Sequence, residues 1–400
     1  MDSGNTAWML MASALVLFMT PGLAFFYGGL VRAKNVISTI MYSFMAMAVV
    51  SVVWVLWGYS LAFGDGNKWI GDLSLVGLSG IDVATDGDTL LFVVFQMMFA
   101  IITPALITGA IVERFKFTTY LIFLVLWITL VYAPIAHWVW AGNGWLFEMG
   151  ALDFAGGTVV HINAGVAALA AAMLVGKRRN PASEPHNVPY VVLGAAILWF
   201  GWFGFNAGSG LAANGLAVNA FLVTNTAAAS AALTWGILSQ IQTGRMSAVG
   251  VASGAVAGLV AITPASGFVG VMGALAIGVG AGVFCYGAVL LRAKTNVDDA
   301  LEVVAVHGVG GLWGALATGI FAAAAIGGTA GAIEGNGQQM VTQVVAVAAT
   351  IGYSFVVTVI ILKVLDVIPG LGLRVSEAEE DQGLDLASHG ERAFISDGAD

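Results

Sequence analysis

The sequence predicts an all-α polytopic membrane protein of 11 transmembrane helices, two inverted five-helix repeats plus a final helix, N-out and C-in. Three observations carry this. Hydrophobic residues fill 59% of the 400 positions and charged residues 9%, which excludes an ordinary water-soluble globule. The charges are spaced so that long uncharged stretches lie between them, most of them longer than the roughly 20 apolar residues a bilayer-spanning helix needs. An Asp-x7-His pattern also occurs twice, five predicted helices apart.

Read from charge to charge, the first five spans lie in 3–31, 35–64, 89–112, 117–147 and 154–176. The first is a retained span rather than a secretory leader, because Met1-Asp2-Ser3 offers no basic n-region and the apolar run is too long. The stretches 185–244 and 246–291 are each long enough to cross twice. They split at the turn-forming runs Gly208-Ser209-Gly210 through Asn219 and Thr263-Pro264-Ala265-Ser266-Gly267, giving helices six to nine. Helices ten and eleven fall in 303–333 and 335–362. The transmembrane domain is thus 1–368, with repeat one at about 1–180, repeat two at about 181–325 and the eleventh helix at about 340–368. Residues 369–400 are a cytoplasmic tail.

Orientation follows from the basic residues, which concentrate in short cytoplasmic loops. With the N-terminus outside, thirteen of the 14 Lys and Arg lie inside and only Lys68 lies outside. The inner set is Arg32, Lys34, Arg114, Lys116, Lys177 to Arg179, Arg245, Arg292, Lys294, Lys363, Arg374 and Arg392. The outer loops are acidic. The tail carries Glu377, Glu379, Glu380, Asp381, Asp385, Glu391, Asp397 and Asp400 against Arg374 and Arg392, leaving −6 of the chain's net −9. Composition alone reads it as a solvated acidic segment.

Within the spans, Gly250-x-x-x-Gly254-x-x-x-Gly258 is a seam of small residues that lets helices approach closely. Trp8, Trp54, Trp57, Trp69, Trp138, Trp140 and Trp145 near helix ends read mostly as interfacial anchors. The single cysteine, Cys285, excludes an intrachain disulfide or a cysteine cluster.

The two patterns are Asp153 to His161 at the start of helix five and Asp299 to His307 at the start of helix ten. Their helices run in opposite directions, as corresponding elements of an inverted repeat do, and such repeat interfaces carry transport pathways. An imidazole in hydrocarbon needs a polar partner. The bland reading satisfies His161 and His307 separately in helix contacts. The sharper one faces them across the repeat axis sharing one proton, since each neutral ring offers one donor and one acceptor. Charging both rings is opposed by desolvation and like-charge repulsion. Asp153 and Asp299, each opening a helix, read first as N-caps. There is no His-Glu-x-x-His, no second histidine within a helical turn of either, and no Gly-x-Ser-x-Gly elbow, so metal-dependent and nucleophilic enzymes lack their constellations. No metal or cofactor is called for.

Four blocks then carry a family resemblance. They are Ala151-Leu-Asp-Phe-Ala-Gly-Gly-Thr-Val-Val-His-Ile-Asn163, Trp199-Phe-Gly-Trp-Phe-Gly-Phe-Asn-Ala-Gly-Ser209, His307-Gly-Val-Gly-Gly and Gly383-Leu-Asp-Leu-Ala-Ser-His-Gly-Glu-Arg392. With Pro21-Gly-Leu-Ala-Phe-Phe-Tyr-Gly-Gly-Leu-Val-Arg32, they resemble the ammonium transporter family, the Amt/Mep/Rh proteins, in its bacterial or archaeal Amt branch. The resemblance implies an outer recruitment site from Trp140, Phe99 and Ser209, with Phe95 one turn above Phe99. It implies Phe99 and Phe205 as the stacked pair closing the vestibule, His161 and His307 as twin pore histidines, and Asp153 as the carboxylate supporting the outer site. One departure is that Trp140-Ala-Gly-Asn-Gly144 replaces the family's glycine run, apparently one residue longer.

The resemblance further implies ammonium or ammonia as substrate with methylammonium as analogue, a homotrimer with the tail under a neighbouring subunit, and a PII family signalling protein at the cytoplasmic face of the cell membrane. No nucleic acid is implied. An ammonium sensor on the same scaffold is the alternative, disfavoured because the 400 residues hold no kinase, cyclase or other output domain. Neutral and charge-carrying transport both stay open.

Overall fold

A computed structural model describes residues 2–181 and 184–394. Asp397 and Asp400 of the acidic tail lie outside the described residues. Helices dominate, and β pairing among the described residues is confined to isolated bridges, Asn67 with Ile70 and Phe115 with Arg374.

Among the described residues ten helices are long and apolar enough to cross a membrane: α1 Ser3–Leu30, α2 Ala33–Phe63, α3 Gly87–Ala110, α4 Phe117–Glu148, α5 Gly157–Val175, α6 Val188–Gly208, α7 Gly215–Thr243, α9 Val271–Arg292, α10 Val304–Phe321 and α11 Gln338–Val367. Between α7 and α9 lies α8, Ala248–Ile262, of 15 residues. At 1.5 Å per residue α8 rises about 22 Å, less than a hydrocarbon core of roughly 30 Å. It is followed by turns at 263–268, where the sequence predicts the break. The other predicted break is narrower than expected, because Asn219 already belongs to α7.

Short polar side chains start these helices as their chemistry requires. Asp2, Asn187, Asn214 and Ser247 accept from the backbone N–H of Asn5, Tyr190, Ala217 and Gly250 at the starts of α1, α6, α7 and α8. Small residues then set the crossings. A Cβ on Gly258 would stand 2.5 Å from the Ala227 carbonyl, so the glycine seam of α8 lies on the α7 backbone. A Cβ on Gly194 of α6 would stand 2.2 Å from the Phe26 nitrogen of α1, and one on Gly165 of α5 would stand 2.3 Å from the Gly308 nitrogen of α10. First helix packs on sixth and fifth on tenth.

The tryptophans correct the anchor reading. Trp54 is fully buried and donates to the Val93 carbonyl at 3.1 Å, and Trp138 is buried and donates to the Trp69 carbonyl at 2.7 Å. These indoles join elements to one another; Trp69, half exposed, is the one of the three that keeps an anchor's position.

The end of the bundle carrying the 111–116 and 177–179 loops is closed by buried charge. Glu113 is inaccessible and pairs with Arg32 at 3.0 Å and Arg178 at 3.3 Å. Arg178 in turn pairs with Asp298 at 2.8 Å. The tail docks onto this platform through α12 Glu377–Gln382 and α13 Leu384–His389. Leu384 N–H donates to Asn35 Oδ1 at 2.8 Å, Asn35 Nδ2 donates to Glu113 at 3.0 Å, and Asp385 accepts from Ser38 N–H at 2.8 Å. Glu380 is buried and accepts from Arg374 at 2.6 Å. A solvated tail is therefore the wrong description of its first half: Glu380 and Asp385 are 1% and 2% exposed.

Gly383 is the hinge of that docking. Its φ is +102°, and a Cβ there would meet the Lys34 carbonyl at 2.7 Å. Gly383→Ala is expected to undock the tail at a cost above about 1 kcal/mol. Limited proteolysis should then cut around α12 and α13 many times faster while the transmembrane part melts unchanged.

Candidate functional site

Five of the residues singled out in the sequence line one chamber. At the end of the bundle opposite the tail, Phe95, Phe99, Trp140, Asp153 and Ser209 bound a cavity of about 470 Å³, together with Phe92, Gln96 and Phe154. Seven of its seventeen lining residues are aromatic. Phe99 stands at the floor, with ring centroids 4.9 Å from Phe95, 5.8 Å from Trp140 and 4.3 Å from Phe205. The Phe99 and Phe205 planes are inclined at 43°.

Hydrogen bonds orient the polar groups. The Ser209 hydroxyl donates to the Phe205 carbonyl at 2.8 Å, which commits its proton and leaves its lone pairs to accept. Trp140 Nε1–H donates to the Asp153 carbonyl at 2.9 Å, locking the indole to the loop that precedes α5. The altered 141–144 turn thus leaves Trp140 on the chamber wall.

Asp153 caps α5. Its carboxylate accepts from the backbone N–H groups of Gly156, Gly157, Thr158 and Val159 at 2.9, 2.5, 2.8 and 3.2 Å, and also from the Thr158 hydroxyl. This is the capping role read in the sequence. With its oxygens so engaged, it acts on the chamber by holding the start of α5 and, through its own carbonyl, Trp140.

Behind Phe205 the protein narrows to a void of about 10 Å³ among Leu23, Ile102, Leu106, Val160, Trp202 and the two histidines. That is near the smallest space that holds one water. His161 and His307 meet here, Nδ1 to Nδ1 at 3.2 Å. Both are buried, in π-helical turns that open α5 and α10. Such turns widen the helix by one residue and recur at functional sites.

One Nδ1 donates and the other accepts, so the pair holds a single proton between its rings, and the outer nitrogens offer one donor and one acceptor. His161 Nε2 has no hydrogen-bond partner among the described residues.

Trp202 was given no role by sequence reasoning. Its ring stacks on His161 at 5.4 Å and 21°, and its Nε1–H is held by the Thr263 hydroxyl at 2.8 Å. The signal was present, because Trp202 and Phe205 stand three residues apart and so share a helix face. Among the described residues no group of three or more His, Cys, Asp or Glu is placed to hold a metal.

Comparison with known proteins places this arrangement. The profile described as Ammonium Transporter Family matches residues 7–394. The ammonium transporter Amt1 of Archaeoglobus fulgidus is 50% identical over 398 residues, covering 98% of this chain and 100% of that one. The crystal structure of Saccharomyces cerevisiae Mep2 superposes with a TM-score of 0.88 at 41% identity, covering 94% of this chain and 91% of that one. A structure titled Sensor Amt Protein gives 0.89 at 33% identity over 96% and 98%.

Proposed function

The chain belongs to the ammonium transporter family of multi-pass membrane proteins, and on that premise we propose that it recruits ammonium in the aromatic chamber, removes one proton and passes ammonia along the histidine pair. The observation that carries this reading is the succession of a roomy chamber walled in part by aromatic rings, a ring barrier and a nearly closed apolar passage edged by two imidazoles in contact.

Each part follows from the chemistry of its groups. Aromatic faces attract cations by about 0.5–1 kcal/mol when exposed and about 2 when desolvated. Potassium is attracted as well, so the rings alone do not select. Ammonium also donates directed hydrogen bonds, which the lone pairs on Ser209 accept. In the passage a bare cation loses its water without compensation, whereas ammonia fits the donor and acceptor that the pair presents. Deprotonation therefore does the selecting. The stripped proton crosses separately, carried by water, so that net charge moves. One charge falling through 100 mV gains about 2.3 kcal/mol, which supports roughly forty-fold accumulation.

The proposal includes a homotrimer in the cell membrane, N-terminus outside, and a PII family signalling protein at the face where the tail docks; the ordered tail across that face is the surface such a regulator meets.

Purified protein on a supported membrane is expected to give a transient current on an ammonium pulse, a smaller one with methylammonium and none with potassium. Flux without current would remove the charge-carrying step. A sensing role is the second reading, supported by the likeness to the structure titled Sensor Amt Protein; ligand binding without either flux or current would favour it.

A further inference from the structure

We infer that Asp299 is the group that returns a proton to ammonia as it leaves the histidine passage at the tail-bearing end. The inference rests on the transport reading above and supplies its second half.

Asp299 stands in the turn that leads into α10, four residues before Val303 and eight before His307. The wall of the passage leads to it. Leu23 and Leu106 border the small void beside His307, and Tyr27, one turn past Leu23, donates its hydroxyl to the Leu106 carbonyl at 3.0 Å. A Cβ on Gly109 would touch both the Tyr27 ring and Val303, each at 2.7 Å, and Leu301 N–H donates to the Gly109 carbonyl at 3.0 Å. The segment carrying Asp299 is therefore laid against the inner end of the wall.

The two helix-opening carboxylates are occupied differently. Asp153 accepts four backbone N–H groups and a hydroxyl; among the described residues Asp299 accepts from Val303 N–H at 3.1 Å and Val304 N–H at 2.7 Å. It is inaccessible to solvent. The charged and titratable groups facing it are Glu302, Arg292, Arg114 and Tyr27. Arg292 is engaged with Glu302 at 3.0 Å, and Arg114 donates to backbone carbonyls, including those of Ala110 and Asp298. Burial first, and the neighbouring Glu302 second, push the Asp299 carboxyl up to about 7 against the pull of its capping bonds and Arg292. It is thus poised to hold and release a proton near neutral pH.

The step balances simply. The O–H bond of neutral Asp299 breaks as an N–H bond forms on ammonia, and ammonium leaves. The carboxylate regains the proton that water carries across behind the ammonia. The sum is ammonia plus a proton giving ammonium.

Asp299→Asn separates this role from capping, because asparagine caps a helix as well as aspartate but does not titrate. The expected result is an ammonium-evoked current lower by about a hundredfold, with ammonia permeation into alkalinising vesicles retained. In the unaltered protein the current should fall by half as the pH on the tail-bearing side rises through about 7. That profile tests the inference even where the variant folds poorly.

A variant current equal to the unaltered one, a current flat across neutral pH, or ammonia flux with no current in the unaltered protein each overturns it. If the unaltered protein moves neither ammonia nor charge, the transport reading itself falls.

Discussion

Exchanging His161 for aspartate is expected to let potassium through. The passage beside His161 is nearly closed, apolar and free of carboxylates along its lining. A cation that enters it sheds its hydration for hydrocarbon and two uncharged rings, a cost of many kcal/mol without a counter-charge. A carboxylate in place of the imidazole supplies that counter-charge and removes the shared proton. Discrimination between ammonium and potassium should then drop by at least tenfold, about 1.4 kcal/mol. Because the 3.2 Å contact is reciprocal, His307→Glu should act in the same direction. Potassium-evoked currents in the two variants, compared with the unaltered protein, measure this directly. Unchanged selectivity would count against the neutral pair as the filter.

The second large effect concerns stability. Glu113→Ala should destabilise the protein by about 3–5 kcal/mol, the usual result of removing one partner from a buried charge network. The loss strands Arg32, leaves Arg178 with Asp298 as its remaining charge partner, and frees the Asn35 amide that holds Leu384 of the tail. A lowered melting temperature in detergent and faster tail proteolysis should therefore appear together.

The acid limb of stability carries the same signature. Burial raises the Glu113 carboxyl, but hydrogen bonds and charge from Arg32 and Arg178 outweigh it and hold the group below its ordinary value. A carboxyl lowered in the folded state contributes stability that is present above the unfolded value of about 4.3. That contribution is lost as pH falls through the lower folded value. Melting curves of the unaltered protein should thus fall toward acid, and that part of the slope should be absent in Glu113→Ala.

How much of this could be read from the sequence depends on distance along the chain. The spans were legible because hydrocarbon excludes charge, so 37 charged residues in 400 positions act as boundaries. The histidines were legible because each stands at a fixed distance from a capping Asp. The chamber was legible only through the family blocks: alone, Phe99 and Phe205 are two more apolar residues on helices rich in them.

The charge platform was not legible, because its pairs join residues 81, 65 and 120 positions apart, and Glu113 beside Arg114 looks like any solvated loop. Trp54 was misread for a related reason. A tryptophan near a helix end is an anchor or a cross-link depending on which carbonyl stands opposite, and that is decided by packing.

The contact between the two δ nitrogens can be drawn with its hydrogen on either ring. Passing between the two arrangements takes two proton moves, the shared hydrogen crossing to the other ring while one outer nitrogen gives up its hydrogen and the other gains one, and the two end states are equivalent. The filter is accordingly indifferent to the sense of traffic: it has no ratchet. Uptake or efflux is decided by the gradients on either side, and a cell that must keep what it has taken in needs a valve elsewhere.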